Sequence, residues 1–372
     1  MRSLLKLLKR IRRFTVEDFV FYIRAPDKKG LRQQLRELRY LYQCYGFPPY
    51  QYITHALYLR EFQGDIGCFL PPELLHRFRD SLNPQQCWGN ALDKQKFVDL
   101  MMRANLPVVK VLARITHERS IATLNGNGCS FQQLLSWLFD SDQREIFLKP
   151  ATSGSGMGAF RAKVAGDHLL VDSREIDEDK FFTMLFANGR YDCYLVQPLI
   201  IQHPLLTRIN PSSVNTIRID TLVIDDNIVH NGAYFRIGTG TSHVDNNSQG
   251  GLWCAIDLET GKLAPTAMTM TKFGRHSFRT HPVTGCKFEG ITLPYWEETK
   301  QVVCSGARVL LPMRSLGWDV AITEHGPVLV ETNQDYAIAL LQEAVQGLRD
   351  TPLGSQAIAF FGRRRSSPAS VS

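Results

Sequence analysis

Residues 317–335, GWDVAITEHGPVLVETNQD, constrain this chain more than any other segment. Two short apolar runs, residues 320–323 and 328–330, flank His325-Gly326-Pro327, which has the turn chemistry that joins antiparallel strands. Asp319 stands at the start of the first run, with Glu331 and Asn333 at the end of the second. Side chains two apart on a strand share a face, so Glu331 and Asn333 point the same way, and a hairpin brings Asp319 alongside them. Two carboxylates and an amide are hard oxygen donors that suit Mg²⁺, which completes its shell with water and phosphate. Taken alone, the same residues read equally well as a solvated hairpin end.

A second segment points to phosphate. In FLKPATSGSGMGAFRAKV, residues 147–164, an apolar run ends in Lys149-Pro150 and a new strand-like run begins at Ala159. Between them lie Ser153, Gly154, Ser155, Gly156, Met157 and Gly158. Glycines let the backbone approach a bulky anion, and successive N–H groups can form a nest around its oxygens. Lys149 adds a point charge. The loop lacks the Gly-Lys-Ser/Thr ending of a P-loop, and no strand–GxGxxG–helix unit surrounds it. A strand–loop–strand phosphate flap describes it better; the plain alternative is a flexible hairpin loop.

In combination and in order, these segments resemble the ATP-grasp superfamily. Asp93-Lys94-Gln95-Lys96-Phe97 followed by Asn105-Leu106-Pro107-Val108 resembles the family's helix with the first nucleotide lysine and the entrance to the next strand. Tyr194-Leu195-Val196-Gln197-Pro198-Leu199-Ile200 resembles its hinge strand. The resemblance implies Lys94 and Lys149 as the two phosphate lysines, and adenine held at Gln197 and the backbone near Leu199. Most members carry Glu where this chain has Gln197. It further implies Asp319, Glu331 and Asn333 as ligands of one or two Mg²⁺, with Mn²⁺ as the alternative ion.

Three further stretches narrow the match. Val214-Asn215-Thr216-Ile217-Arg218-Ile219, Phe235-Arg236-Ile237-Gly238 and residues 244–251, VDNNSQGG, resemble the sugar-transfer-associated ATP-grasp proteins. More distantly they resemble the ribosomal-protein and peptide glutamate ligases. The resemblance spans residues 92–341. It implies that Arg236, and with it Arg218, stabilises the transferring γ-phosphoryl group and an acyl-phosphate; for Arg218 the alternative is a surface arginine on an edge strand. Such chemistry needs no side-chain nucleophile. Cys193, His203, His243 and His281 are therefore read as packing or hydrogen-bonding residues, with His203, just past the hinge, within reach of a ribose.

The expected fold class is α+β: an ATP-grasp fold of two α+β subdomains clamping ATP, preceded by a mainly helical N-terminal region. The expected divisions are residues 1–90 (helical), 91–195 (small subdomain with the flap), 196–350 (large subdomain with the metal site) and 351–372 (a C-terminal segment). In residues 31–42, leucines at i, i+4 and i+7 mark an amphipathic helix, and Pro48-Pro49 and Pro71-Pro72 punctuate the region. The alternating α/β domain that begins many ATP-grasp enzymes, and helps to bind the acceptor, is not legible. Residues 124–128, LNGNG, read as a turn before a helix over residues 131–139.

Residues 1–14 alternate leucines with basic residues, a pattern that either lies on an anionic membrane surface or packs on its own domain. Residues 362–370 lack apolar content and read as a disordered tail. With 44% hydrophobic and 21% charged residues, the 372-residue chain has globular composition. No run approaches a membrane span. Its eight cysteines form no CxxC pair, which argues against zinc and for a reducing, cytoplasmic setting, with peripheral contact at the inner face of the membrane if residues 1–14 bind lipid. The net charge of +7 comes without a nucleic-acid motif, so nucleic acid is not an expected partner.

The partners implied are ATP, a carboxylate donor and an amine acceptor, either small molecules or a glycan precursor. The function implied is an ADP-forming carboxylate–amine ligase acting on a sugar-acid or amino-acid carboxylate in polysaccharide or cell-surface biosynthesis. A kinase on the same fold and a non-catalytic nucleotide-binding module at a membrane complex remain open.

Overall fold

The computed structural model describes residues 16–123, 126–154, 156–240, 250–270 and 273–366. The basic start, Ser155, His243 and most of the 244–251 stretch lie outside the described residues.

The N-terminal region is helical, as its leucine spacing implies: α1 (Val16–Arg24), α2 (Leu31–Tyr45), α3 (Pro49–Thr54) and α4 (Pro72–Leu82). The two Pro-Pro pairs start helices rather than merely interrupting them. Pro49 and Pro72 occupy the first helical position, where the missing N–H costs no hydrogen bond and the fixed φ suits the turn. Two more helices follow, α5 (Gly89–Leu92) and α6 (Lys94–Arg103). The Asp93 side chain caps α6 by accepting from the N–H groups of Gln95 and Lys96 at 2.9 and 3.2 Å.

The first sheet contains β1 (Ala113–Thr116), β2 (Ile121–Thr123), β3 (Gly128–Cys129), β4 (Glu145–Pro150), β5 (Phe160–Ala165), β6 (His168–Val171), β7 (Arg174–Ile176) and β8 (Cys193–Pro198). The strands run in the order β3-β2-β1-β8-β4-β5-β6-β7, and the pairings are antiparallel. Helices α7 (Phe131–Asp140) and α8 (Glu178–Phe186) cover one face, where Ile146, Leu148, Ala162, Val164 and Val196 meet Phe131, Leu135, Phe181 and Leu185. Strand alternation then turns Phe147, Lys149, Arg161 and Gln197 to the opposite face. The short strands β2 and β3, not legible in the sequence, flank the 124–128 segment read as a turn, of which Leu124 and Asn125 lie outside the described residues.

After α9 (Pro204–Ile209) comes the second sheet: β9 (Thr216–Ile224), β10 (Asn227–Val229), β11 (Ala233–Ile237), β12 (Leu252–Ile256), β13 (Leu263–Met268), β14 (Ser277–Phe278), β15 (Ser315–Thr323) and β16 (Gly326–Asn333). Its order is β14-β13-β12-β11-β9-β15-β16, with β10 also paired to β9. Ile217, Ile219, Phe235, Trp318 and Val320 pack beneath it against α6 and α10 (Trp296–Val309). The β15–β16 hairpin is longer than its apolar runs suggested. Eight of the nine β15 residues are buried because both faces are covered, which erases the alternation a half-exposed strand would display.

The last helices, α11 (Ile338–Ala344) and α12 (Pro352–Ser366), share a third core with Leu75 and Phe78 of α4 and with Tyr234 and Trp253 of the second sheet. Helix α12 continues through Gly362-Arg363-Arg364-Arg365, which composition had assigned to a tail. Arginine is a good helix former, and the helix already anchored at Leu353 and Ala357 propagates through these residues.

Two short crossings tie the sheets together. Val109 N–H donates to the Leu329 carbonyl at 3.2 Å, and Leu329 N–H to the Pro107 carbonyl at 2.9 Å. Three residues on, Leu112 N–H donates to the Val196 carbonyl at 2.7 Å in the first sheet. The return crossing is anchored by His203 N–H on the Ile322 carbonyl at 2.8 Å.

Candidate nucleotide and metal site

The inner faces of the two sheets enclose a cleft of about 490 Å³, within the range of small-molecule sites. Lys94, Lys149, Ser153, Gly154, Gly156, Gln197, Leu199, Arg218, Arg236, Asp319, Glu331 and Asn333 all line it. Residues scattered over 240 positions of sequence thus meet in one space, with helix α6 supplying Lys94, the first sheet Lys149, and the second sheet carboxylates and arginines.

On the second sheet, register sets the order. Asp319 lies opposite Glu331 on one side and Arg218 on the other, and Arg218 lies opposite Tyr234. Gly317 pairs with Asn333, one step along. Asp319 is 1% exposed and held by two arginines: Arg218 Nε is 2.5 Å from Oδ1, and Arg236 Nη2 is 2.6 Å from Oδ2. Arg236 Nε also donates to Thr216 Oγ1 at 2.9 Å. Burial pushes the Asp319 carboxyl up, but the guanidinium groups of Arg218 and Arg236 outweigh it and hold the acid below the usual carboxylate range. Arg218 is buried on β9, an interior strand, and is not the edge-strand surface arginine that was the alternative.

Lys149 faces this row from the end of β4. Burial lowers its ammonium to about 8, with Lys94 pushing the same way and Glu331 and Asp319 opposing. Lys94, the first residue of α6, donates through Nζ to the Ser153 carbonyl and sits 3.8 Å from Glu331 Oε2. The first lysine therefore touches both the flap and the acidic row.

Within the flap, Gly156 and Gly158 have φ of +67° and +77°. A Cβ on Gly158 would stand 2.7 Å from the Tyr191 ring and 3.0 Å from Pro150, so glycine is required there for packing as well as backbone shape. A Cβ on Gly154 would meet nothing within 4 Å. Met157 is exposed, and neither it nor Gly158 lines the cleft.

At the hinge, Gln197 Nε2 donates to the Val109 carbonyl at 2.8 Å, binding β8 to the first crossing. The Leu199 N–H donates to the Glu145 carbonyl at 3.1 Å, so this one donor of the hinge backbone is already taken, while Leu199 itself lines the cleft. His203 is placed differently from the sequence expectation. It caps α9, with Nδ1 accepting from Leu205 N–H at 3.2 Å, packs edge-on against Tyr295, and is not among the cleft-lining residues. His281 is buried with Nε2 2.8 Å from the Gly238 carbonyl, and Cys193 Sγ accepts from Arg114 Nε at 3.1 Å.

Arg161 was missed. It lies on β5 opposite Phe147, which in turn lies opposite Gln197, so the three form one row on the cleft face. Its buried Nε has no hydrogen-bond partner. The signal was present in the sequence: in FRAKV, Ala162 and Val164 alternate inward, which turns Arg161 toward the cleft.

The donor set fits Mg²⁺. Asp319 Oδ1 is buried in its ion pair with Arg218, Glu331 is partly open to the cleft, and Asn333 Nδ2 reaches Glu331 Oε1 at 3.4 Å. Among the described residues no three His, Cys, Asp or Glu side chains gather into a metal cluster; beside Asp319 and Glu331 the Asn333 amide offers a further oxygen donor.

The family model described as sugar-transfer associated ATP-grasp matches residues 73–351. Among solved structures, the chain is similar to a D-cycloserine synthetase, at 14% identity over 78% of each chain with a TM-score of 0.44. It is similar to biotin carboxylase from Campylobacter jejuni at 11% identity, over 74% of this chain but only 48% of that one, with a TM-score of 0.44. D-alanyl-alanine synthetase A from Vibrio cholerae gives 14% identity over 73% and 65% of the two chains, with a TM-score of 0.41. No curated protein matches the sequence. Likeness at these levels carries no argument about activity. The family match, by contrast, covers well over half of the sequence, and the chain belongs to the sugar-transfer associated ATP-grasp family.

Proposed function

We propose that the protein is an ATP-dependent carboxylate–amine ligase that releases ADP and works through an acyl-phosphate. The observation that carries this reading is the confrontation across one cleft of Lys94 and Lys149 with the Glu331–Asp319–Arg218 row. A polyphosphate chain needs cations on several sides and a metal on its oxygens, and the lysines, the arginines and a set of oxygen donors for such a metal line one cavity.

A carboxylate is a poor acyl donor because its leaving group would be oxide. A carboxylate oxygen of the donor attacks the γ-phosphorus and ADP leaves. The amine then attacks the acyl carbon, phosphate leaves with the C–O bond pair, and the nitrogen gives up a proton. Lys94 and Lys149 would bind and orient the phosphates, and Arg236 with Arg218 would meet the charge on the transferring group. Asp319, Glu331 and Asn333 would hold Mg²⁺, which when bound supplies charge neutralisation on the phosphate oxygens. The flap would exclude water from the acyl-phosphate.

The family description makes a sugar-acid or amino-acid carboxylate the class to try first. All eight cysteines are free, which supports action in a reducing cytoplasm. The test is Mg²⁺-dependent ATP turnover against pooled carboxylates, with and without pooled amines, and with hydroxylamine as a trap. ADP release with hydroxamate is the expected result. A phosphorylated product without hydroxamate would replace the ligase with a kinase, and ATP binding without turnover on any pool would favour a binding module.

A further inference from the structure

Helix α2 presents two unlike faces. Gln34 and Leu41 are buried against the helical core, while Leu31, Leu35 and Tyr42 are 67%, 58% and 65% exposed. At about 100° per residue these three fall within roughly 40° of one another, forming one apolar stripe along the outside of the helix. Arg32, Arg36 and Arg39 follow beside it, at roughly 80–140° on the same wheel. All three are exposed, and none forms an ion pair with a described residue. The single acid of the helix, Glu37, is turned inward, where it pairs with Lys29 at 3.2 Å and accepts from the Tyr52 hydroxyl. On helix α1, Phe19 and Ile23 are likewise exposed, at 46% and 57%.

We propose that this face of α2 docks on an anionic lipid bilayer. An apolar stripe bordered by unpaired arginines is what a helix lying in the membrane interface needs: the stripe enters the boundary between headgroups and acyl chains, and the guanidinium groups meet lipid phosphates. No helix among the described residues is long and apolar enough to cross a membrane, so the contact is peripheral. Charge decides against the other occupants. A second copy would set one arginine row against another. Residues 1–14 carry six basic residues and no acid, which brings the same sign again. The surface is separate from the cleft, so the proposal does not depend on the reaction performed there.

Flotation of the full-length protein tests this, using phosphatidylcholine vesicles with and without about one third phosphatidylglycerol. Two triple variants accompany it: Leu31→Gln/Leu35→Gln/Tyr42→Gln and Arg32→Gln/Arg36→Gln/Arg39→Gln. The changed side chains are exposed, and circular dichroism verifies that both variants fold. The native protein is expected to float with anionic vesicles only, to be released at about 0.5 M NaCl, and to lose roughly tenfold or more of its partitioning in each variant. Native protein that fails to float overturns the proposal. Variants that float like the native chain do the same, because the binding then lies elsewhere. A solution dimer that the Leu/Tyr triple variant dissociates would assign the face to a second copy instead.

Discussion

With burial drawing Lys149 down to about 8 while Glu331 and Asp319 pull it back, this ammonium is charged at pH 7 but loses its proton from about pH 8 when no nucleotide is bound. A bound polyphosphate favours its charged form, so binding ATP takes up a proton near pH 8 and above, and affinity falls as pH rises through that range. Calorimetry in two buffers of different ionisation enthalpy measures that proton; an affinity flat from about pH 7 to about 10 would remove Lys149 from the phosphate site. Folding runs the other way. The unfolded lysine keeps its proton up to 10.5, so between 8 and 10.5 the unfolded state binds more protons and this group adds stability as pH rises. Asp319, depressed below 3.8, contributes stability above that value and loses it as pH falls through the lower folded pKa. Asp319→Ala leaves two buried arginines facing each other and is expected to cost about 3–5 kcal/mol in a urea melt. Glu331→Ala removes a donor that is open to the cleft. It should keep the native circular dichroism and melting point while ADP release falls about a hundredfold or more; normal turnover would cancel the metal assignment. For Arg161→Met, a KM for ATP raised about tenfold at unchanged kcat would mark a nucleotide contact, and an unchanged KM would mark a bystander.

At the scale of elements, the flap separates two kinds of glycine. Gly158→Ala places a methyl against Tyr191 and Pro150 at a left-handed φ, and is expected to cost about 1–3 kcal/mol and to expose the flap to protease. Gly154→Ala meets open space and should leave both stability and cleavage unchanged. Equal behaviour of the two would mean that the flap has no fixed closed shape. The hairpin shows how legibility depends on chemistry. Asp319, Glu331 and Asn333 could be aligned from strand period and a Gly-Pro turn, and the register does place Asp319 opposite Glu331. Strand lengths could not be read, because a strand buried on both faces loses its alternation. His203 looked available by its position after the hinge, yet its ring caps a six-residue helix. Nothing local distinguishes a capping histidine from a ligand-binding one.

Across the whole molecule, the N-terminal region packs as one body with the sheet that walls the cleft. Gln342 exchanges hydrogen bonds with the backbone of Leu70, its Oε1 accepting at 2.8 Å and its Nε2 donating at 3.1 Å. Phe78 packs in the core that also holds Tyr234 and Leu340, both on the cleft wall. Phe78→Ala should therefore cost about 3–5 kcal/mol and also lower ATP turnover, although the residue does not itself line the cleft. A variant that melts earlier but turns over ATP normally would show that the cleft is insulated from the helical region.

Local chemistry determined much of this protein in advance. Glycines, turn residues and strand alternation marked a flap and a hairpin, because those signals act within a few residues, and the order of motifs along the chain resembled the ATP-grasp family, which implied the candidate site residues. What only the tertiary structure decided are the partners of each group. The double hold of Arg218 and Arg236 on Asp319, the burial that lowers Lys149, and the packing of α4 beneath the cleft wall each join residues far apart in the chain. Burial and long-range pairing are properties of the assembled sheets, and no sequence neighbour records them.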